Sequence, residues 1–236
     1  DPVETYQGNL YVDCLSTGSL SYIPSLHIVE AIGKVNSDKV NGVALPGASV
    51  TFRNIQVFAD NIQVDATSNF LKARGNVRLS RGGKRLECTR LGMQLTGTDA
   101  YAIIDQGKRL QAVHLNADLV PDIPKTGISP KYFAAEDTAD ATQYILARQV
   151  RLYPGEKIQF KRPKLYQDGA VIFSVAFYSM NLYTTQIFAD QFISVGSQGL
   201  GMDLPLFYDL SPGSTGIFHV RNGEHNGRNQ FATRPG

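Results

Sequence analysis

The sequence has no excess of charge of one sign and no long apolar run, and each absence excludes a class of protein. Its 23 basic and 21 acidic residues leave a net charge of +2, without the clustered basic excess that nucleic-acid binding requires. It contains no run of about 18 apolar residues, so a transmembrane helix is excluded, whereas a shorter transmembrane strand is not. The N-terminus shows no secretion signal, so either none exists or it has been removed.

Cysteine and histidine are too few and too scattered for a metal centre or a disulfide scaffold. The two cysteines, Cys14 and Cys88, fit two buried free thiols as well as they fit a single disulfide in an oxidising periplasm. None of the 4 histidines has a cysteine or carboxylate at a ligand-like spacing. No nucleophile motif, phosphate loop or dinucleotide fingerprint occurs. We therefore expect no metal, no cofactor and no catalytic residue, and we predict that the protein is not an enzyme.

What the sequence does have is alternation of apolar and polar residues through positions 50–95. The apolar positions that repeat with period two are Val50, Phe52, Ile55, Val57, Ile62, Val64, Leu71, Ala73, Val77, Leu79, Leu86, Leu91, Met93 and Leu95. This period predicts strands with one dry and one wet face. The pair Gly82-Gly83 between two such runs predicts a hairpin turn. No segment shows the spacing of three and four that a helix needs, so the predicted fold class is all-β.

A weak internal repeat and changes in composition divide the chain. The unit Ala73-Arg74-Gly75-Asn76-Val77-Arg78-Leu79 returns as Ala147-Arg148-Gln149-Val150-Arg151-Leu152, each followed by a turn with glycine, which suggests stacked two-strand units. Residues 121–137 contain three prolines and are predicted to be a connecting loop. We predict an N-terminal extension or first strands at 1–47, a main β-domain at 48–186, and a distinct segment at 187–236.

Two motifs in the main domain resemble those of the OstA-type family of lipopolysaccharide-transport proteins. Ala59-Asp60-Asn61-Ile62 resembles the family's "A-D-x-I/L" strand start, and Ala73-Arg74-Gly75-Asn76-Val77 resembles its "A-x-G-N-V" strand, at a fitting spacing. This resemblance covers about residues 48–169. Residues 187–221 are similar to the segment in which the outer-membrane assembly member of the family leaves its periplasmic domain and enters its barrel.

The resemblance implies both a fold and a function. The fold would be stacked antiparallel strands in an open V-shaped β-jelly roll, and in the outer-membrane member of the family the first strands of a β-barrel follow it. The fourteen alternating apolar residues would line a cleft for the acyl chains of lipopolysaccharide, in which each buried methylene contributes about 0.8 kcal/mol. The chain would deliver this lipid to the outer membrane during envelope assembly.

The resemblance also implies partners and a location. Other OstA-type transport proteins would pair with an edge strand, and an outer-membrane lipoprotein would be a further partner. No nucleic acid would bind. The location would be the periplasmic face of the cell outer membrane, or the periplasm.

Two alternatives stay open. One is a barrel-free periplasmic bridge or shuttle for lipopolysaccharide with the same fold, in which residues 170–220 are additional sheet. The other is a structural β-solenoid or sandwich that binds surface polysaccharide, in which the alternating apolar positions are simply core. Both lipid hypotheses require that the dry surface stays open enough for fatty chains.

Overall fold

The computed structural model describes residues 8–14, 18–33, 39–40, 43–44, 47–105, 107, 109–123, 127–182, 193–196, 199–211, 214–222, 224–225 and 228–229. Side chains are described up to residue 182, with those of 39–40 and 43–44 left out. This part of the chain consists of β-strands and a 3-10 turn at Pro130–Tyr132, and it contains no α-helix. None of its helical segments has the length and hydropathy needed to cross a membrane.

Seventeen strands form one antiparallel sheet. They are β1 (Leu10–Cys14), β2 (Ser19–Ile23), β3 (Ile28–Ile32), β6 (Ala48–Phe52), β7 (Ile55–Ala59), β8 (Asn61–Asp65), β9 (Phe70–Arg81), β10 (Lys84–Gln94), β11 (Ala100–Asp105), β12 (Leu110–Leu115), β13 (Pro121–Asp122), β14 (Gln143–Leu146), β15 (Gln149–Tyr153), β16 (Lys157–Lys161), β17 (Lys164–Gln167), β18 (Ala170–Ser174) and β19 (Phe177–Asn181). Two-residue strands β4 (Lys39–Val40) and β5 (Val43–Ala44) pair with each other.

The sheet divides at β9, whose two halves have different neighbours. The second half of β9 pairs with β7, and the strands continue from there in the order β6, β1, β15, β16 and β19, which we call the first arm. The first half of β9 pairs with β8, followed by β3, β2, β14, β17 and β18, which we call the second arm. β10 pairs with both halves of β9, and β11, β12 and β13 extend the second arm beyond it.

The two arms have matching strand orders because the chain crosses between them at corners. β7 passes directly into β8, β14 into β15, β16 into β17, and β18 into β19, each through at most two residues. The strands joined at a corner occupy the same place in their two arms, so each pair reads as one long strand that changes arms partway.

The two motifs of the sequence meet at one of these corners. The amide of Asp60 donates to the carbonyl of Gly75 at 2.9 Å, and Asn76 Nδ2 donates to Asp60 Oδ2 at 2.8 Å. Gly75 has a φ of +77°, and a Cβ there would clash with the Asp60 carboxylate. Only glycine fits both constraints, so the "A-D" and "G-N" residues fix the point at which β9 leaves one arm for the other.

The core lies between the arms as one cluster. Apolar residues alternate along the strands of both arms, and their inward members join a single set of buried contacts. In the first arm Val12 is opposite Val50, and Val50 is opposite Val57. Such directly opposed β-branched pairs stabilise neighbouring strands, and their burial supplies the main favourable free energy of the fold.

Beyond residue 182 the described backbone forms further antiparallel strands. β20 (Ile193–Gly196), β21 (Gly199–Ser211) and β22 (Ser214–Asn222) make a three-stranded sheet, and β23 (Glu224–His225) pairs with β24 (Arg228–Asn229). The hypothesis that residues 187–236 lead into a barrel extends over residues outside the described ones and stays a prediction.

Candidate functional site

The fourteen alternating apolar residues of positions 50–95 lie together in the interior between the two arms. They belong to β6, β7, β8, both halves of β9, and β10, with Leu95 directly after β10. All but Leu86 are at most 4% exposed, and Leu86 packs against the others. Side chains therefore fill the described part of the interior, where the sequence led us to expect an open cleft.

The other half of this interior comes from segments that the sequence analysis did not assign to the site. It consists of Leu10 and Val12 from β1, Leu20 and Tyr22 from β2, Val29 and Ala31 from β3, Ile145 from β14, Val150 and Leu152 from β15, and Ile158 and Phe160 from β16. The signal was present, because these residues also alternate with polar neighbours. Local alternation does not reveal which distant strands share a face, so the two halves could not be joined from the sequence.

The inward residues form continuous apolar rows across the sheet. One row runs through Phe173, Leu165, Ile145, Tyr22, Val29, Val64, Leu71, Met93 and Ala100, each opposite the next. Eight steps of about 4.8 Å between strands make this row roughly 38 Å long. The buried polar side chains of the strands, Glu30, Ser49, Asn61, Gln63 and Gln159, all stand at the alternate, outward positions. The longest row therefore contains no buried polar group other than the Tyr22 hydroxyl, which is hydrogen-bonded with His27 Nδ1 at 3.3 Å.

Aromatic rings join the two arms across the interior. The ring of Tyr22 in the second arm lies 5.6 Å from that of Phe160 in the first arm, and Phe160 stacks on Tyr178 at 6.1 Å. Burial, with a smaller effect from the charge of Asp65, raises the pKa of Tyr22 to about 12. Burial and the nearby Tyr22 also raise the pKa of Tyr178. Both phenols are therefore neutral at physiological pH, as an apolar interior requires.

Cys14 and Cys88 are free thiols in the structure. Cys88 is buried in the interior, and this burial raises its pKa to about 12, so it is a protonated and unreactive thiol near neutral pH. Cys14 ends β1 at a corner, where its thiol donates to the carbonyl of Ile32 at 3.4 Å. Each thiol thus behaves as a small packing group.

The outer face of the second arm is crossed by residues 127–142, which we call the strap. The sequence predicted a connecting loop here, and the strap packs closely on the sheet. Tyr132 stacks on Tyr101 of β11, with ring centroids 4.3 Å apart. Gly92 of β10 lies beneath, and a Cβ at this position would clash with the carbonyl oxygen of Tyr132. The absence of a side chain at Gly92 lets the strap approach the sheet.

A buried polar network holds the other end of the strap. Gln63 Nε2 donates to Glu30 Oε1 and to the carbonyl of Glu136, both at 2.9 Å, while the Glu136 amide donates to Gln63 Oε1 at 2.8 Å. Thr138 Oγ1 donates to the second oxygen of Glu30 at 2.8 Å. A groove of about 650 Å³ lies beside the strap, lined by apolar Ile28 and Phe70 and by charged Asp65, Lys72 and Lys131 among others.

No group of three or more histidine, cysteine or acidic side chains that could hold a metal occurs among the described residues. Comparison with protein-family models and with curated proteins finds no match to the chain. The chemistry of the interior and of the strap is therefore the basis for assigning a function.

Proposed function

We propose that the interior between the two arms binds the acyl chains of lipopolysaccharide, and that the chain delivers this lipid to the outer membrane. The proposed fold is a V-shaped β-jelly roll, with the line of corners as its closed side and the turns at the opposite strand ends as its mouth. The observation that carries the proposal is the set of continuous apolar rows, the longest of which crosses nine strands with the Tyr22 hydroxyl as its one buried polar group. The OstA-type motifs at the corner between the arms add to it.

The dimensions suit fatty chains. The longest row is roughly 38 Å, whereas one leaflet of a bilayer's hydrocarbon core is about 15 Å deep. An acyl chain in this interior gains about 0.8 kcal/mol for each buried methylene and needs no hydrogen-bond partner. The interior suits such a chain, because its surface is apolar and the polar side chains of its strands face outward.

The open surface that the sequence led us to require is not present in the described interior, which side chains fill, so uptake requires the arms to part. Tyr22 and Phe160, which meet across the arms, have to separate in this step. The lipid then replaces contacts between apolar side chains with contacts between those side chains and its own methylenes. The apolar surface is thus transferred from one dry environment to another and is not exposed to water in the final state, which keeps the cost of opening within reach of the binding energy.

A binding measurement with matched lipids tests this function. Purified lipopolysaccharide is expected to bind to the protein, and the fully deacylated saccharide is not, in isothermal titration calorimetry. Val57→Phe adds bulk to the interior and is expected to weaken lipid binding. Gln56→Phe places the same side chain on the exposed face of the same strand and is expected to leave binding unchanged. Equal binding of the acylated and deacylated molecules would overturn the proposal.

The partners of this proposal are other OstA-type proteins that pair with an open edge of the sheet. Among the described strands, β18 pairs only with β17, and Val171 and Ile172 on β18 are about half exposed. At the other end, β13 has two residues and begins with Pro121, which cannot donate a hydrogen bond. We therefore propose β18 as the docking edge.

Two substitutions test the assignment of β18 as the docking edge. Val171→Lys is expected to abolish co-elution with an OstA-type partner in gel filtration, and Ile123→Lys beside β13 is expected to leave it unchanged. The reverse result would place docking at β13. A barrel-free shuttle of the same fold predicts the same lipid binding, and its location would be the periplasm in place of the periplasmic face of the outer membrane.

A further inference from the structure

The rim of the interior carries a cation that its surroundings leave unpaired. β9 places Val77, Leu79 and Arg81 on the same face, since successive side chains on a strand alternate. Val77 and Leu79 are buried in the interior, and Arg81 is the last residue of the strand, where that face reaches the hairpin turn. The Arg81 guanidinium is therefore next to the apolar interior and at its edge.

Part of this guanidinium is buried without a hydrogen-bond partner. Arg81 Nη1 is inaccessible to solvent and has no partner within the described part of the chain. A buried donor that makes no hydrogen bond destabilises the folded chain, and more so when it is charged. Native proteins retain few such groups, and a water, an ion or a ligand can supply the missing partner.

Two neighbouring cations, Lys84 and Arg53, are engaged, whereas Arg81 Nη1 is not. Lys84 is directly opposite Arg81 in the hairpin, and its Nζ forms an ion pair with Asp118 Oδ1 at 2.7 Å. Arg53, in the turn between β6 and β7, stacks on the ring of Phe52 with its Cζ 4.9 Å from the ring centroid. Ile55, two residues after Arg53, is opposite Arg81. The rim thus combines positive charge with apolar surface, and among its described cations Arg81 has a buried donor without a partner.

We propose that Arg81 binds the anionic head group, a phosphate or a carboxylate, of an acyl-chain ligand whose tail occupies the interior. This inference rests on the proposed function and adds to it the residue that binds the ligand's head group. The planar guanidinium can donate two parallel hydrogen bonds to such a group, and these bonds are strong where water is excluded. The head group would supply the partner that Nη1 lacks, at the point where a buried tail has to emerge.

The test compares two probes that differ only in one phosphate group. 1-Myristoylglycerol 3-phosphate and neutral 1-myristoylglycerol have the same acyl chain. The unchanged protein is expected to bind the phosphate at least about tenfold more tightly, which corresponds to a charge-assisted hydrogen bond. Arg81→Gln is expected to remove this preference and to leave binding of the neutral lipid unchanged, as measured by displacement of a fluorescent fatty acid.

A matched arginine provides the control. Arg85 lies on the adjacent strand β10, is exposed, and alternates with inward Leu86, so its side chain is on the other face. Arg85→Gln is expected to retain the preference for the phosphate. Equal loss in both variants, or equal affinity of the unchanged protein for the two lipids, would overturn the assignment of Arg81 while the proposed function stands. Failure of both lipids to bind to the unchanged protein would overturn the proposed function as well.

Discussion

The interior between the arms and the strap-covered outer face are both buried, but by opposite means. The interior is closed by apolar rows, in which any similar side chain of the right size could replace another. The outer face is closed by a few directed hydrogen bonds, in which Glu30 and Gln63 each serve several partners. Apolar contacts are non-directional and can be exchanged for contacts with a lipid, whereas a satisfied polar network specifies one arrangement. The apolar interior, and not the strap-covered outer face, is therefore the surface that can open.

The largest effect is expected from a charge placed inside. Val50→Glu buries a carboxylate in the interior without a partner, and we expect a loss of at least about 4 kcal/mol in the free energy of unfolding. Thr51→Glu, one residue along β6 and on the outward face, is expected to cost less than about 1 kcal/mol. Urea denaturation checks both values. Similar losses would show that the two faces do not differ as described.

A smaller effect is expected at the corner where the arms meet. Gly75→Ala combines a positive φ with a clash against Asp60, and we expect a loss of about 2–4 kcal/mol. Gly83→Ala in the β9–β10 turn has a similar φ of +82° but open space around it, so it is expected to cost only about 1 kcal/mol. The difference between the two, from thermal or urea unfolding, measures the close approach alone. Equal losses of stability in the two variants would mean that the close approach of Asp60 to Gly75 does not contribute.

The strap is expected to respond to loss of its polar anchor more than the global fold does. Gln63→Leu leaves Glu30 and the main chain of Glu136 without their partner, at a cost of about 2 kcal/mol. Amide hydrogen exchange of residues 133–138 is expected to accelerate, while exchange in β6 and β7 stays slow. The control is Gln149→Leu, which removes a bond of 2.7 Å to Asp13 outside the strap. Unchanged exchange in the strap would contradict this anchoring.

The last prediction concerns the pH dependence of stability, which two buried proton donors change only at alkaline pH. The pKa of Cys88 rises from 9.0 to about 12, and that of Tyr22 from 10.0 to about 12, both chiefly by burial. Between about pH 9 and 12 the unfolded chain therefore releases protons that the folded chain retains. Stability falls with rising pH in this window, by up to about 1.4 kcal/mol per pH unit for each group.

Urea midpoints between pH 7 and 11 check this dependence. Cys88→Ala is expected to make the decline shallower from about pH 9 upward, whereas the unchanged protein should show no slope from these groups at pH 7. A decline of the same steepness in Cys88→Ala would mean that this thiol is accessible in the folded state.

Sequence reasoning could predict the all-β class and the dry face of residues 50–95, because period two is a local property. It could not predict the second half of the interior, since Leu10 is opposite Leu152 and nothing local joins segments so far apart. The same limit applies to the strap, where Glu30 is bonded to Thr138, 108 residues away. The motif residues Asp60 and Gly75 were recognised, but their shared corner became visible only through the hydrogen bonds between them.

Site-specific photo-crosslinking tests the central claim most directly. A photoreactive amino acid at Val64, Val77 or Met93 faces the interior, and one at Gln56 faces solvent. With purified lipopolysaccharide, the account predicts covalent adducts on the lipid part from the three interior positions and none from Gln56. Adducts only from Gln56, or adducts on sugar from outward positions with none from the interior, would contradict the binding of acyl chains between the arms.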